Sequence, residues 1–366
     1  MALTYEEAGV DYDALDAFKR ACQAEARGTR DALGALGLRE PDQVRGESAY
    51  LVETDEAFLV HVEEGLGTKN LVADAVEAAT GVCRYDAIGI DTVATIVNDL
   101  VTCGARPVSV AMHAAVGDAS WFENAPRAAA LARGFAEGCR RAGAVWGGGE
   151  TPALKGLVAD AGIVLAGSAV GLVRPKARRI VGDVAPGDVM IGVASSGVHT
   201  NGLTLCRALA SRLPDAYATR LADGRTYGDA LLDPSVIYAR LVAACQEAAV
   251  TLRYAVHVTG HGWRKLMRLE APLVYRVRHL PPPPPVFEFL VEAGPIDLRE
   301  AYATFNMGLG FVLYVRPEDA DAALAAAGRA GYAAAPMGEV VRDGSRRAVE
   351  IEPLGLAYDG ATLAVR

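Results

Sequence analysis

A basic hexapeptide, Arg174 to Arg179, divides this chain into two segments, each alternating short β-prone runs with helical ones. That pattern restricts the fold to α/β layers built twice, because the strands of each half must bury their apolar faces under helices. Length agrees: 366 residues exceed the roughly 250 to 300 at which one hydrophobic core stops growing. Two domains are therefore expected, residues 1–174 and 175–366.

In the first half, apolar residues recur at helical spacing from Asp13 to Leu38, and the polar stretch Arg39 to Gly46, with Pro41, forms a loop. Ala49 to Val52 and Ala57 to Val62 flank Thr54-Asp55-Glu56 and read as a hairpin that runs into Glu63-Glu64-Gly65-Leu66-Gly67-Thr68-Lys69. Ile88 to Gly104 and Pro126 to Ala142 are expected helices, with a strand at Pro107 to Ala115 between them. A small-residue turn, Gly147 to Thr151, precedes the apolar strand Ala161 to Val173. The second half begins with a strand at Val189 to Ala194, a loop at Ser195 to Gly202 and helices at Leu203 to Leu213 and Pro234 to Ala248. Five prolines, Pro281 to Pro285, act as a spacer before a helix at Val286 to Ala293; a strand at Gly308 to Val315 and a helix at Pro317 to Gly331 follow.

Composition narrows the function classes. With 51% hydrophobic and 22% charged residues the chain is globular throughout. A net charge of −9 argues against nucleic acid as a partner, while leaving room for a local phosphate pocket. No apolar run reaches membrane-spanning length and the N-terminus is no secretory leader, so no membrane partner and a cytoplasmic location are expected. The six cysteines form no C-x-x-C pair and read as buried, reduced thiols.

Three clusters carry candidate chemistry. Asp91, Thr95 and Asn98 share one helix face, with Asp99 one residue round. Such a carboxylate and amide stripe suits magnesium shared with substrate phosphates, although Asp91 serves equally as a helix cap. Gly65, Gly67, Thr68 and Lys69 offer unobstructed backbone N–H groups, a hydroxyl and an ammonium for phosphates, in a loop that is not a Walker A motif. Gly148, Gly149, Glu150 and Thr151 repeat that theme, and Glu150 is a further candidate metal ligand. In the second half, His199 lies among small polar residues between a strand and a helix, where α/β folds present ligand-binding groups. Its neighbour Asn201 belongs to the same loop, whereas His61, His113, His257, His261 and His279 show no triad or zinc spacing and read mainly as structural.

Taken in order, Ala8-Gly9-Val10-Asp11, the Gly65 to Lys69 turn, Gly89-Ile90-Asp91 through Leu100, Gly148 to Thr151, Ser195 to Gly202, His257-Val258-Thr259-Gly260 and Thr304 to Gly310 resemble the aminoimidazole ribonucleotide (AIR) synthetase family. The resemblance implies a two-domain α/β, PurM-like fold: an N-terminal domain whose strands form a barrel across a homodimer, a C-terminal α/β domain and ATP between them. It implies ATP and magnesium as cofactors and a phosphoribosyl amidine as the small-molecule substrate, cyclised after phosphorylation of its amide oxygen. By carry-over, Gly65, Gly67, Thr68, Lys69, Asn98, Gly148, Gly149, Glu150, Thr151 and Asn201 bind the nucleotide. Glu64, Asp91, Asp99 and Glu150 hold the metal, and His199, Lys69 and Asp99 are the catalytic set. The chain departs from the family at Gln23, where a first-helix lysine is usual, at Val44 to Ser48, at Glu64 in place of aspartate, at Pro152 to Gly156 and at His261 within a glycine run. These departures keep open a relative that phosphorylates another amide or carboxylate, and a scaffold that binds nucleotide without turnover.

Overall fold

The computed structural model describes residues 12–294 and 296–363; the Ala8 to Asp11 motif lies outside them. The first helix, α1, spans Tyr12–Arg27 and stops at Gly28, so the long helix expected to Leu38 ends early, with a separate 3-10 turn over Arg30–Leu36. The N-terminal layers are β1 (Tyr50–Glu53), β2 (Phe58–Gly65), α2 (Lys69–Thr80), α3 (Tyr85–Leu100), β3 (Arg106–Val116), α4 (Ala125–Ala142), β4 (Val145–Glu150) and β5 (Ile163–Val173). The strands form one open sheet in the order β1-β2-β5-β3-β4, antiparallel except for β3 with β4. In β5 every second residue from Ile163 to Val173 is buried, the pattern of a strand with one face on a core. The opposite face leaves Leu59, Val164 and Val170 exposed.

The expected small-residue turn at Gly147 to Thr151 is instead mostly edge strand. Gly148, Gly149 and Glu150 pair in parallel with Ala111, Met112 and His113. Glycine is needed there for close approach, since a Cβ on Gly149 would lie 2.2 Å from the Met112 carbonyl oxygen.

The second domain contributes β6 (Val189–Ala194), α5 (Leu203–Ala210), α6 (Tyr227–Leu231), α7 (Ala239–Glu247), β7 (Leu252–His257), β8 (Val274–Val277), α8 (Pro285–Ala293) and α9 (Leu298–Thr304). It ends with β9 (Leu309–Val315), α10 (Ala320–Arg329), β10 (Ala334–Val341), β11 (Ala348–Ile351) and β12 (Leu356–Asp359). Its seven strands run β12-β11-β8-β10-β6-β9-β7, and all of β9 is buried. The polyproline run leads into α8 as expected.

Helix α3 joins the halves. Every residue from Ala87 to Leu100 is buried, so its polar side chains have no bulk water to bond and must find protein partners. They find the segment Asp233 to Tyr238, which forms no regular structure where a helix from Pro234 was expected; α7 starts only at Ala239. Asn98 donates to the Val236 carbonyl (2.8 Å) and accepts the Tyr238 N–H (2.8 Å), while Asp91 accepts from both the N–H and the hydroxyl of Ser235. Tertiary hydrogen bonds thus override local helix periodicity. Of the cysteines, Cys103, Cys139, Cys206 and Cys245 are buried as expected, but Cys83 is only half-buried and Cys22 is exposed on α1.

Candidate functional site

Where β2 ends, Gly65 and Leu66 lead to Gly67, whose φ of 78° lies in the left-handed region that favours glycine. That reversal delivers Thr68 to the start of α2. The Thr68 hydroxyl caps no N–H of the helix; it is buried and has no hydrogen-bond partner, and the residue lines a cavity of about 270 Å³. Glu64 from β2, Asp99 from α3 and Asn201 from the loop after β6 share this wall. A free hydroxyl beside the N-terminus of a twelve-residue helix suits an anion.

A second cavity of about 500 Å³ adjoins the first, sharing Glu64, Asp99, Asn201 and Thr259 and reaching outward to α1 and to Lys265 and Arg268. The inner chamber is thus bounded by acid and hydroxyl groups, and the outer one adds cations.

The electrostatics centre on Asp99. Burial alone would raise its carboxyl, but the Lys265 charge and a 2.7 Å hydrogen bond with His257 Nδ1 outweigh it and hold Asp99 below the ordinary carboxylate range. Burial pushes His257 down, so at neutral pH the imidazole is neutral and donates Nδ1–H to Asp99. Glu64 responds in the opposite way: burial first, and the Asp99 charge second, raise it to about 7. The two carboxyls therefore repel across the space between the chambers. Lys265, lowered by burial, donates to the Thr259 hydroxyl.

Among the residues expected from sequence, the structure brings together Glu64, Gly65, Gly67, Thr68, Asp99 and Asn201. Lys69 and Asp91 lie elsewhere. Both side chains are 0% exposed, pair with each other at 2.7 Å and face the Asp233 to Ser235 segment, where Lys69 also donates to the Asp233 carbonyl. A buried ammonium whose charge is already met inside the protein is a structural group, which corrects the catalytic reading of Lys69 and the metal reading of Asp91. Asn98 is corrected with them, since both ends of its amide are taken.

His199 is also corrected. Its imidazole is buried, lines neither chamber and accepts through Nε2 from the Ser196 and Val236 N–H groups at 3.2 and 3.4 Å. Burial lowers it well below its ordinary value, so it stays neutral and shapes the loop that presents Asn201. Gly148, Gly149, Glu150 and Thr151 sit on or beside the exposed edge strand and line neither chamber of the single chain.

Sequence reasoning missed Lys265 and Arg268, delivered by the 3-10 turn after Gly262, and undervalued His257, although the His257-Val258-Thr259-Gly260 motif contained the signal. Lys19, which with Arg20 could replace the usual first-helix lysine only in a different helix register, lines the outer cavity together with Gln23. Among the described residues, no group of three or more His, Cys, Asp or Glu side chains is placed to hold a metal, so the four-carboxylate set does not assemble. Glu64 and Asp99 alone fit magnesium of the kind that takes one or two carboxylates and completes its shell with substrate phosphates and water.

Residues 46–173 match the family described as AIR synthase related protein, N-terminal domain, and residues 185–350 match its C-terminal domain. The chain is 40% identical over 365 residues to a phosphoribosylformylglycinamidine cyclo-ligase of Sorangium cellulosum, covering 94% of this chain and 97% of the relative. It is 34% identical over 355 residues to the Methanothermobacter thermautotrophicus protein of the same name, covering 96% and 97%. Among solved structures, AaThiL complexed with AMPPCP and TMP superposes with a TM-score of 0.58 at 14% identity, over 87% of this chain and 92% of that one, a likeness of fold.

Proposed function

The chain belongs to the AIR synthase related protein family, and from that premise we propose that it is the ATP-dependent cyclo-ligase that converts formylglycinamidine ribonucleotide to aminoimidazole ribonucleotide in purine biosynthesis. The observation that carries the site assignment is the unpartnered Thr68 hydroxyl at the start of α2, on a residue that lines one cavity with Glu64 and Asp99. The inner chamber takes the ATP phosphates and the outer chamber takes the phosphorylated substrate. A nucleotide here is supported by the phosphate-shaped turn at Gly67 and by AaThiL, a protein of like fold complexed with AMPPCP.

The reaction joins two steps. The formyl oxygen attacks the γ-phosphorus of ATP and ADP leaves; the amidine nitrogen then closes on the formyl carbon and phosphate departs with that oxygen. Thr68 and the first N–H groups of α2 hold phosphoryl oxygens, and Asn201 faces both chambers, where it orients the acceptor against the donor. His257 fixes the Asp99 carboxylate, which with Glu64 makes the acid pair for the metal. Magnesium, when bound, would neutralise charge on the transferring group. Domain limits at 1–174 and 175–366, a cytoplasmic location and a homodimer belong to the same reading. The dimer is supported by the apolar outer face of the five-stranded sheet, with Leu59, Val164 and Val170 at 40%, 51% and 44% exposure. A second copy covering that face would bring two open sheets together, and Val170→Asp is expected to sediment as a monomer.

The deciding assay follows ADP and aminoimidazole ribonucleotide in one tube. Matched, substrate-dependent formation of both is expected. Nucleotide binding with neither product would sink the cyclo-ligase reading and leave the scaffold.

A further inference from the structure

Helix α1 carries a side-chain relay into the outer chamber. Asp16, 5% exposed, sits between two partners: its Oδ1 meets the Lys19 ammonium at 3.2 Å and its Oδ2 meets His261 Nε2 at 3.1 Å. Lys19 and His261 both line the outer chamber. His261 comes from the other domain, in the turn after β7, and its φ of 69° puts a non-glycine residue in the left-handed region. Such a backbone persists only where surrounding contacts hold it. The Asp16 carboxylate is one such contact, and the Arg264 N–H and guanidinium on the His261 carbonyl are others. Burial lowers His261 to about 4, so the imidazole is neutral at working pH and donates Nε2–H without cancelling the Asp16 charge, which remains for Lys19.

Of the cations around this chamber, Lys19 is the one presented to a ligand. Its side chain is 52% exposed, against 13% for Arg268, whose guanidinium is already bonded to the Gly46 carbonyl and the Ser48 hydroxyl. Lys265 is engaged with Thr259 and lies in the field of Asp99. Gln23, one turn further along α1, lines the same chamber.

We propose that Lys19 is the substrate-contacting cation of the outer chamber, receiving a phosphate monoester, and that Asp16 and His261 are positioning residues that hold its ammonium there. The inference rests on the outer chamber being the substrate side of the site proposed above. It assigns to Lys19 the positive charge that Gln23, a neutral amide in the same chamber, cannot supply, and it gives His261 a reason to occupy a glycine conformation. An ammonium tethered from behind by a carboxylate loses less freedom when it meets the ligand.

The experiment measures ADP release at saturating ATP while formylglycinamidine ribonucleotide is varied. Lys19→Met is expected to raise the KM for that substrate about 10- to 100-fold, the scale of a lost charged hydrogen bond, with the KM for ATP unchanged, and Lys19→Arg to recover most of the loss. His261→Gly relieves the backbone, so it folds; it is expected to raise the same KM in the wild-type background but not further in Lys19→Met. An unchanged substrate KM in Lys19→Met overturns the proposal, and equal effects of His261→Gly in both backgrounds overturn the positioning role. Should the wild type turn over no substrate, the cyclo-ligase reading fails separately, and calorimetry with ribose 5-phosphate decides for Lys19. Weaker binding by Lys19→Met than by wild type upholds it; equal binding, or none by either, overturns it.

Discussion

Asp91 and Asp99 stand two turns apart on the same buried helix and do opposite work. Asp91, with Lys69, Ser235 and Asn98, belongs to a buried seam in which the two charges pair with each other and neutral groups of the second domain supply the remaining hydrogen bonds. Asp99 is equally enclosed on one side, by His257, but its other side opens on both chambers. The contrast shows that a polar stripe on a helix identifies a face requiring partners, whereas the element packed opposite decides whether those partners are protein or ligand.

Substitutions at the two aspartates break or sharpen that contrast. The largest effect is expected for Asp91→Ala, which strands the Lys69 ammonium in the core; loss of one partner from a buried pair costs about 3–5 kcal/mol. Urea unfolding would detect it, and wild-type stability would show that the seam does not hold the domains together. Asp99→Asn is expected to act on chemistry instead, lowering kcat by about 10²- to 10³-fold, the scale of one transition-state electrostatic contact. Turnover near that of wild type would remove Asp99 from the site.

Glu64 offers a pH test. Its carboxyl is raised from an ordinary 4.5 to about 7, so the folded chain binds more protons than the unfolded one between those values. Stability from this group is therefore full at low pH and falls as pH rises from 4.5 through 7. Glu64→Gln does not titrate, so relative to wild type it is expected to gain about 3 kcal/mol at pH 8 compared with pH 4. Parallel stability–pH curves for the two proteins would refute the repulsion between Glu64 and Asp99.

The smallest effect expected is at Thr68. Replacing it with valine removes a buried hydroxyl that has no protein partner, so thermal stability should hold or rise. The KM for ATP should increase about 10-fold, the value of one hydrogen bond to a charged oxygen. A fall in stability with unchanged KM would mean that the hydroxyl serves the fold.

Much of the site was legible because it is local. Glu64, Gly65, Gly67 and Thr68 are contiguous in the sequence, and a strand end followed by glycines and a helix start presents them together whatever lies beyond. Lys69, the next residue, was misread because one step round the helix start points its side chain into the seam. His199 was misread for a related reason: a histidine among small polar residues suggests exposure, yet Tyr238 and the Ser195 to Gly202 loop enclose it. At Gly148 to Thr151 composition suggested a phosphate turn, where the structure has an edge strand and the close approach of β3 requires glycine at Gly149.

By itself the sequence determined the two α/β halves, the hairpin and its glycine turn, the long central helices and the family, because periodicity, turn residues and motif order are properties of neighbouring residues. Only the tertiary structure decided which polar groups meet. Asp99 joined His257, Asp16 joined His261, and Asp91 joined Ser235 across 158, 245 and 144 residues of chain. Separations of that length leave no periodic trace. They are set where the second domain closes on α1 and α3, and each buried polar group takes the partner that this packing brings within reach.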